Sequence, residues 1–117
     1  MDAVIKIGGS LQADPKDLRK LCMTLATVSK EYNILVVPGG GRLARVIRKL
    51  QKDLKFSDET AHSVALLAMN VYGIVLHELI EGSRLTESLE SLSSGCTIFL
   101  PFRELDRCED LKRCWDV

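Results

Sequence analysis

Three short apolar runs recur along the chain, and each one is stopped by glycine or proline. They lie at residues 3–7, 34–37 and 96–100. Their length and their content of β-branched residues predict buried strands. Strands that are apolar on both faces are typical of parallel sheets covered by helices, so the pattern predicts a sheet of that kind.

Apolar residues at three- and four-residue steps predict helices between these strands. The first helix begins after Asp14, which precedes a proline as an N-cap residue does, and runs to about residue 31. A second helix covers 43–52, and a third begins after Ser57 and runs to about residue 80. With a further short helix predicted over 86–92, this order of elements indicates an α/β domain. Its predicted architecture is a three-layer αβα arrangement around a mostly parallel sheet.

The third helix is apolar almost all the way round from residue 61 to residue 80. A helix of this kind is normally buried on most sides, and a chain of this size leaves little to cover its far side. We therefore predict a homodimer formed through residues 57–81. Five polar residues interrupt the helix and argue against a membrane span: His62, Ser63, Asn70, His77 and Glu78.

Length and charge narrow the class of protein. The 117 residues fit one domain, which is either a complete small domain or half of a larger one. Lysine plus arginine and aspartate plus glutamate each number 16, and this balance argues against a nucleic-acid-binding module. We see no secretion signal and no run of about 18 apolar residues, so we expect a cytoplasmic protein without a membrane partner.

Four cysteines are spread widely along the chain, and without a secretion signal we expect free thiols. Cys22 lies in a helical pattern and Cys96 at a strand start, so both are predicted to be small buried apolar residues. Cys108 and Cys114 lie in the charged tail. No C-x-x-C pair is present and neither histidine is near a cysteine in sequence, so we predict no metal site.

Two of the predicted strands end in glycine-rich loops, Gly8-Gly9-Ser10 and Pro38-Gly39-Gly40-Gly41. Ligands of open α/β sheets bind at the carboxyl ends of the strands, and unpaired N–H groups before a helix attract anions. Two such loops suit neighbouring phosphates, or a phosphoryl group between its donor and its acceptor. Lys6, in an otherwise apolar strand, would be costly to bury without an anion partner. The alternative is a pair of ordinary turns with no ligand.

Two other nucleotide-binding motifs have less support. The chain contains no G-x-x-x-x-G-K-[ST] loop, which excludes a Walker A site. Gly39, Gly41 and Ala44 match the loose dinucleotide fingerprint. The acidic residue expected about 20 residues later should end a strand, whereas Asp58 and Glu59 open a helix. A dinucleotide-binding module is therefore the least favoured function.

Taken together, the stretches Val4-Ile5-Lys6-Ile7-Gly8-Gly9-Ser10-Leu11 and Val36-Val37-Pro38-Gly39-Gly40-Gly41 resemble the first strand and the two glycine loops of the amino acid kinase superfamily. That superfamily includes aspartate, acetylglutamate, glutamate, uridylate and isopentenyl phosphate kinases. Asp58-x-x-Ala61-His62, the run at 65–69 and the final Cys114-Trp115-Asp116-Val117 resemble one branch of it. This branch comprises the small kinases of methanofuran biosynthesis, which act on aminomethylfuranmethanol phosphate, and their methylotroph relatives.

The resemblance implies the amino-terminal lobe of that fold, ATP and magnesium as cofactors, and a role for each matching residue. Lys6 would be the catalytic residue, in contact with the transferred phosphoryl group. Three residues would hold the terminal phosphates of the nucleotide: Gly8, Gly9 and Ser10. Three others would hold the acceptor and the same phosphoryl group: Gly39, Gly40 and Gly41. Backbone N–H groups and a lysine suffice, because phosphoryl transfer depends mainly on positioning and charge stabilisation.

Two residues outside the glycine loops are candidate contacts to a phosphorylated or carboxylated acceptor. Arg42 directly follows the second loop, where it could clamp an anionic substrate or remain a solvated helix residue. His62 lies near the start of the long helix, where a substrate contact and a packing or capping role are both open.

The resemblance covers the whole chain but only the first part of the family's length. We therefore predict that residues 1–117 form the acceptor-binding portion, that the nucleotide-binding half is absent, and that this portion is inactive alone. Activity would need a carboxyl-terminal half, as a continuation or as a separate chain. The alternative function is a non-catalytic fragment that binds an anion or dimerises through the long apolar helix.

Overall fold

Four strands and four helices make up the described part of the chain. The computed structural model describes residues 1–8 and 14–106. The strands are β1 (Ala3–Ile7), β2 (Ile34–Pro38), β3 (Arg84–Thr86) and β4 (Cys96–Phe99). The helices are α1 (Pro15–Val28), α2 (Gly41–Leu54), α3 (Asp58–Leu79) and the single-turn α4 (Phe102–Leu105). Five residues singled out above lie outside the described residues: Gly9, Ser10, Cys108, Cys114 and Trp115.

The strands form one parallel sheet in the order β1-β2-β4-β3. Ile7 of β1 pairs with Pro38 of β2, and Val36 of β2 pairs with Ile98 of β4. The predicted α/β class, with a parallel sheet flanked by helices, is confirmed. All three predicted strands are present, with bounds within one residue of those expected from the apolar runs.

Capping side chains set where the first and third helices begin. The Asp14 carboxylate accepts hydrogen bonds from the N–H groups of Lys16 and Asp17, as an N-cap residue does. The Ser57 hydroxyl accepts a hydrogen bond from the N–H group of Thr60 at the start of α3. Both helices therefore start at the residues that the sequence predicts.

The hydrophobic core lies between α1, α3 and one face of the sheet. Because side chains alternate along a strand, every second residue of each strand faces these helices. The core consists of nine buried residues: Ile7, Cys22, Leu25, Ile34, Val36, Leu76, Ile80, Cys96 and Ile98. Cys22 and Cys96 are thus the small buried residues that the sequence predicts, and both are free thiols.

The segment that joins β3 to β4 contacts the opposite face of the sheet at Ser93. Connections between parallel strands are right-handed crossovers. The connections from β1 to β2 and from β2 to β3 therefore pass over one face of the sheet. The connection from β3 back to β4 runs in the opposite direction and passes over the other face. The Thr97 hydroxyl, on this second face, lies 3.3 Å from the Ser93 hydroxyl. Towards β1 this face is open, since Val4 is 64% exposed and Lys6 is also exposed.

The expectation that Lys6 is buried on both sides is therefore wrong. β1 is an edge strand in the described sheet, and only Ile7 of its five residues is buried. Lys6 points to the open face, where its charge is solvated and needs no anion partner for stability. Any role of Lys6 in chemistry must rest on its position and not on the cost of burying it.

The prediction of a helix over 86–92 is also wrong. The strand β3, which the sequence pattern missed, ends at the first residue of this segment. Hydroxyl groups bind the backbone locally in this segment: Thr86 Oγ1 donates to the carbonyl of Ser88 and accepts from its N–H group. The Ser88 hydroxyl in turn accepts from the N–H group of Glu90. Such bonds compete with helical hydrogen bonds. The missed strand, β3, has three residues, which is too short for a recognisable pattern.

Helix α3 is long and apolar enough to cross a membrane, judged by length and composition alone. Here it lies in a folded domain, with Leu66, Gly73 and Leu76 buried. This packing supports the prediction against a membrane span, which stays a prediction. The side of α3 that faces away from the core carries half-exposed apolar residues: Leu67, Val71, Ile74 and Val75.

Candidate functional site

The two glycine loops meet at the carboxyl edge of the sheet. Ile7 and Pro38 are paired, so the residues that follow them are neighbours. The N–H group of Gly39 donates a hydrogen bond to the carbonyl of Ile7 at 2.8 Å. A Cβ atom on Gly39 would lie 3.2 Å from the Cα atom of Gly8, which is closer than side chains normally approach. Glycine at position 39 therefore allows the loops to touch.

Glycine is also needed at the next two positions of the second loop. A Cβ atom on Gly40 would lie 2.7 Å from the Cβ atom of Ala44, one turn further along α2. Gly41 has a φ angle of +54°, in the left-handed region that other residues rarely adopt. The chain thus turns sharply from β2 into α2, and no side chain of these three residues covers the backbone at the turn.

Several N–H groups at this turn have no hydrogen-bond partner among the described residues. Ala44 donates to the carbonyl of Gly40, but the N–H groups of Gly40, Gly41 and Leu43 donate to no described group. They lie at the start of a 14-residue helix, whose dipole favours negative charge there. The loop is therefore chemically suited to hold an anion such as phosphate.

Helix α3 is hydrogen-bonded to the residue that follows this loop and packs against the strand ends beside it. The hydroxyl oxygen of Tyr72 accepts a hydrogen bond of 3.2 Å from the N–H group of Arg42. The next residue, Gly73, packs so closely that a Cβ atom there would lie 2.6 Å from Cδ2 of Leu100 and 3.3 Å from Cγ of Pro38. The ends of β2 and β4 are thus held against one turn of α3.

The same helix also holds the segment that follows β4. The side-chain oxygen of Asn70 accepts a hydrogen bond from the N–H group of Phe102, at the start of α4. The Ser63 hydroxyl donates to the carboxylate of Asp106. Polar groups of α3 therefore organise two loops at the carboxyl edge, although most of the helix is apolar.

The structure brings only some of the predicted site residues together. Gly8 and Gly39 are in contact, while Lys6 lies two residues before Gly8 on the open face of the sheet. Arg42 lies in the first turn of α2, where its side chain is exposed. The roles implied for Gly9 and Ser10 fall outside the described residues.

His62 lies on the part of α3 that extends beyond the carboxyl edge. Leu79 lies beside Cys96 at the amino edge of the sheet, and Gly73 lies at the carboxyl edge, so α3 runs antiparallel to the strands. His62 precedes Gly73 by 11 residues, or about 16 Å along the helix axis. Its spacing from Leu66 and Gly73 places it on the same face of α3 as these residues. His62, which is half-buried, is therefore on the side of the sheet that carries the glycine loops.

Sequence reasoning missed Tyr72 and Gly73 and assigned no role to Asn70. The signal was present, because these three residues lie within four positions and interrupt an otherwise apolar helix. A glycine inside a helix lowers its stability and usually has a packing reason. Of these three residues, only Asn70 enters the sequence argument, where it is one of the five polar residues that argue against a membrane span.

The sequence profile of the amino acid kinase family matches residues 1–98. A protein of Methanocaldococcus jannaschii named [5-(aminomethyl)furan-3-yl]methyl phosphate kinase is 41% identical over 78 residues, which are 65% of this chain and 35% of that protein. A uridylate kinase of Methanothrix thermoacetophila is 31% identical over 85 residues, which are 71% of this chain and 38% of the relative. The chain therefore spans little more than a third of the curated relatives it matches.

Two solved structures share the fold. The uridylate kinase of Archaeoglobus fulgidus superposes with a TM-score of 0.75 at 24% identity, over 85% of this chain and 50% of that one. The UMP kinase of Ureaplasma parvum superposes with a TM-score of 0.66 at 19% identity, over 85% of this chain and 54% of that one. At these identities the likeness establishes the fold of the described sheet and helices.

Proposed function

Because the chain belongs to the amino acid kinase family, we propose that it is the amino-terminal, acceptor-binding part of an ATP-dependent phosphotransferase. The observation that carries this proposal is the contact between the two glycine loops, where Gly39 donates to the carbonyl of Ile7 at 2.8 Å. Loops in contact can hold two phosphates at the separation that direct transfer requires. Phosphoryl transfer depends on such positioning and on stabilising charge at the transferred group.

Each residue of the site has a defined part in this proposal. The N–H groups of Gly40 and Gly41 bind the acceptor and the phosphoryl group, supported by the dipole of α2. Lys6 is the catalytic residue, since a lysine two residues before the first loop can reach past the strand end and neutralise charge on the transferred group. Gly8, with Gly9 and Ser10, binds the terminal phosphates of the nucleotide. Arg42 and His62 contact the acceptor.

The acceptor in this proposal is a small phosphate monoester. The 41% identical relative is named for a phosphorylated aminomethylfuran, and two further relatives are named for uridylate. Both compounds carry a phosphate monoester, which matches the N–H donors of the second loop. The higher identity favours the aminomethylfuran phosphate, and with it a step of methanofuran biosynthesis in the cytoplasm.

ATP supplies the phosphoryl group in this proposal, and its phosphate oxygens suit the donors at the carboxyl edge. Among the described residues, no group of three or more histidine, cysteine, aspartate or glutamate side chains is placed to hold a metal ion. Magnesium would bind the phosphates of ATP in this proposal. The rest of the nucleotide site belongs to a carboxyl-terminal half of the kind that the longer relatives contain, either in the same polypeptide or in a separate chain.

Assembly as a homodimer through residues 57–81 is also part of the proposal. Val71, Ile74 and Val75 of α3 are 46%, 55% and 47% exposed, which leaves an apolar stripe in water. A non-catalytic fragment that dimerises through this stripe is the second candidate function. Sedimentation should show a dimer that Val71→Glu dissociates, while Lys20→Glu on α1 leaves it intact. A monomeric wild-type chain would contradict this part of the proposal and remove the second candidate.

Turnover by a restored full-length protein tests the proposed reaction. We would join residues 1–117 to the carboxyl-terminal part of the Methanocaldococcus jannaschii relative and measure transfer of the γ-phosphate of ATP to the aminomethylfuran phosphate and to UMP. We expect transfer to one of them, and Lys6→Ala should lower kcat by about 1000-fold. Lys20→Ala on the exposed surface of α1 is the matched control and should leave turnover unchanged. Turnover that survives Lys6→Ala would exclude the role assigned to Lys6.

The chain by itself provides a second test. A phosphate monoester such as UMP should raise its thermal midpoint, because the chain contains the whole second glycine loop that we assign to the acceptor. ATP with magnesium should leave the midpoint unchanged, since most of the nucleotide site lies in the other half. An equal rise with ATP would contradict the division of the two sites between the halves.

A further inference from the structure

Tyr72 of helix α3 contacts the residue that directly follows the second glycine loop. Its hydroxyl oxygen is 3.2 Å from the backbone nitrogen of Arg42, which follows Gly41 directly. The residue is half-buried, and its hydroxyl lies at the edge of the loop. The phenol group is thus beside the N–H groups that we assign to the acceptor.

The hydroxyl hydrogen of Tyr72 is available for a further hydrogen bond. The oxygen acts as an acceptor towards Arg42, and none of the hydrogen bonds among the described residues uses Tyr72 as a donor. A phenol carries one hydrogen that it can donate while it accepts from another group. A half-buried donor next to an anion-binding loop is stabilised when an anion accepts from it.

The position of this hydroxyl is set by the packing of the next residue. Gly73 has no side chain, so α3 lies directly against Pro38 and Leu100 at the ends of two strands. This close contact sets the position of Tyr72 along the helix axis relative to the loop. A tyrosine side chain has only two rotatable side-chain bonds before the hydroxyl, so its oxygen is held in place at little entropic cost.

We propose that the Tyr72 hydroxyl donates its hydrogen to the phosphate of the bound acceptor and makes the site selective for phosphate monoesters over carboxylates. This inference rests on the proposed function, since it concerns the same acceptor. A phosphate monoester offers three terminal oxygens, enough for the loop N–H groups and the phenol together. A carboxylate has two oxygens that lie in one plane and carries a single charge, so it pairs less well than a phosphate with donors that approach from several sides.

The chain contains only two tyrosines, which allows a direct test by fluorine NMR. Tyr32 precedes β2 at the amino edge of the sheet and is exposed, so it serves as an internal control. We would label the chain with 3-fluorotyrosine and add UMP, inorganic phosphate or acetate. The Tyr72 signal should shift with UMP and phosphate and much less with acetate, while the Tyr32 signal stays constant. A Tyr72 signal that does not move at saturating UMP would overturn the inference.

Affinity measurements on matched variants give the contribution of the Tyr72 hydroxyl to UMP binding. Tyr72→Phe keeps the ring and removes the hydroxyl, and it should weaken UMP binding by about tenfold, the effect of one hydrogen bond to a charged group. The affinity for acetate should change little, so the ratio of the UMP affinity to the acetate affinity should fall. Tyr32→Phe should leave both affinities as they are. Equal losses for UMP and acetate would show that Tyr72 only supports the loop, and would overturn the inference.

The failure of this inference is distinguishable from failure of the proposed function. If wild-type chain binds UMP and Tyr72→Phe binds it equally well, the role of Tyr72 is excluded and the acceptor site stands. If the wild-type chain binds no phosphate probe at all, the proposed acceptor site is excluded and this inference with it. Should Tyr72→Phe fail to fold, the fluorine shifts of the wild-type sequence still decide the question.

Discussion

The two ends of the sheet differ in how their backbone groups are satisfied. At the amino edge, the N–H group of Asn33 donates to the carboxylate of Asp2 at 2.7 Å, and the side-chain oxygen of Asn33 accepts from the N–H group of Gly95 at 2.9 Å. The carbonyl of Asn33 also accepts from the N–H group of Asp2. At the carboxyl edge, the N–H groups of Gly40 and Gly41 have no partner among the described residues.

On this difference we base the proposal that the carboxyl edge binds the acceptor and that the amino edge is structural. Cavity size alone would favour the amino edge. A cavity of about 550 Å³ lies at the amino edge, between the last turns of α1 and α3. Its surroundings include apolar groups such as Ala26, Leu79 and Cys96. Asn33 and Gly95 beside it pair with other groups of the protein, whereas the N–H groups of Gly40 and Gly41 have no partner among the described residues. For this reason our proposal places the acceptor at the carboxyl edge.

Gly73→Val should have the largest effect on stability. The new side chain meets Leu100 and Pro38, so α3 must move away from the strand ends that carry both loops. We expect a loss of about 3 kcal/mol in the free energy of unfolding, in the range for overpacked sites. Urea denaturation measures this loss. Lys20→Leu, which places a branched apolar side chain at an exposed position of α1, should change stability little, and equal losses would contradict the packing role of Gly73.

Gly41→Ala and Gly82→Ala introduce the same kind of backbone strain at opposite ends of the sheet. Gly41 lies at the carboxyl edge and Gly82 at the amino edge. Both glycines have positive φ angles, +54° and +80°, and alanine there costs about 1 kcal/mol. Both variants should lose that stability, but only Gly41→Ala should weaken UMP binding, because it displaces the loop N–H groups. Calorimetric titration measures the affinity. Similar affinities for the two variants would show that the turn at Gly41 has no part in binding.

Asn33→Ala removes one hydrogen bond from the amino edge, the bond that the Asn33 side-chain oxygen accepts from the N–H group of Gly95. We expect a loss of about 1 kcal/mol, which corresponds to roughly 5 °C in thermal midpoint for a domain of this size. UMP affinity should be unchanged, because the carboxyl edge is not altered. A fall in affinity would mean that the two ends are coupled, which would contradict their separation into a structural and a binding end.

The buried thiols predict an effect that is absent at neutral pH, a loss of stability at high pH. Burial raises the pKa of the Cys96 thiol to about 11, above its ordinary value near 9, with a smaller contribution from Cys22. The unfolded chain therefore loses this proton first, and the stabilising contribution is lost as pH rises from about 9 to about 11. Unfolding free energies at pH 8 and pH 11 should differ less in Cys96→Ala than in the wild-type chain.

Cys22→Ala is the matched control for this titration. Burial also raises the pKa of Cys22, but the positive charge of Arg19 opposes the rise. Its own contribution to the pH dependence should therefore be smaller than that of Cys96. A pH dependence that is identical in the wild-type chain and in Cys96→Ala would contradict the raised pKa.

The longer elements of the fold were predictable because their signals are local. Asp14 and Ser57 cap their helices with their own side chains, and the apolar runs of β1, β2 and β4 end at glycine or proline. β3 was not predictable, because its three residues are defined by pairing with β4 and not by a pattern of their own. The exposure of Lys6 depends on which strand lies at the edge of the sheet, and this is a property of the whole topology.

The candidate site was predictable in part for the same reason. Gly39 to Gly41 stand out in the sequence, and the geometry explains why glycine is needed at each of these positions. Tyr72 and Gly73 act on the loop from more than 30 residues away, so no local pattern connects them to it. Only the packing of α3 across the strand ends brings them to the site.

Localised binding of a phosphate monoester tests the central claim most directly. We would titrate UMP into the nitrogen-15-labelled chain and follow each backbone amide by NMR. The amides of Gly40, Gly41 and Leu43 should shift, and those of Asn33 and Gly95 should not. Shifts confined to the amino edge, or no shift at saturating UMP, would contradict the assignment of the carboxyl edge as the acceptor site.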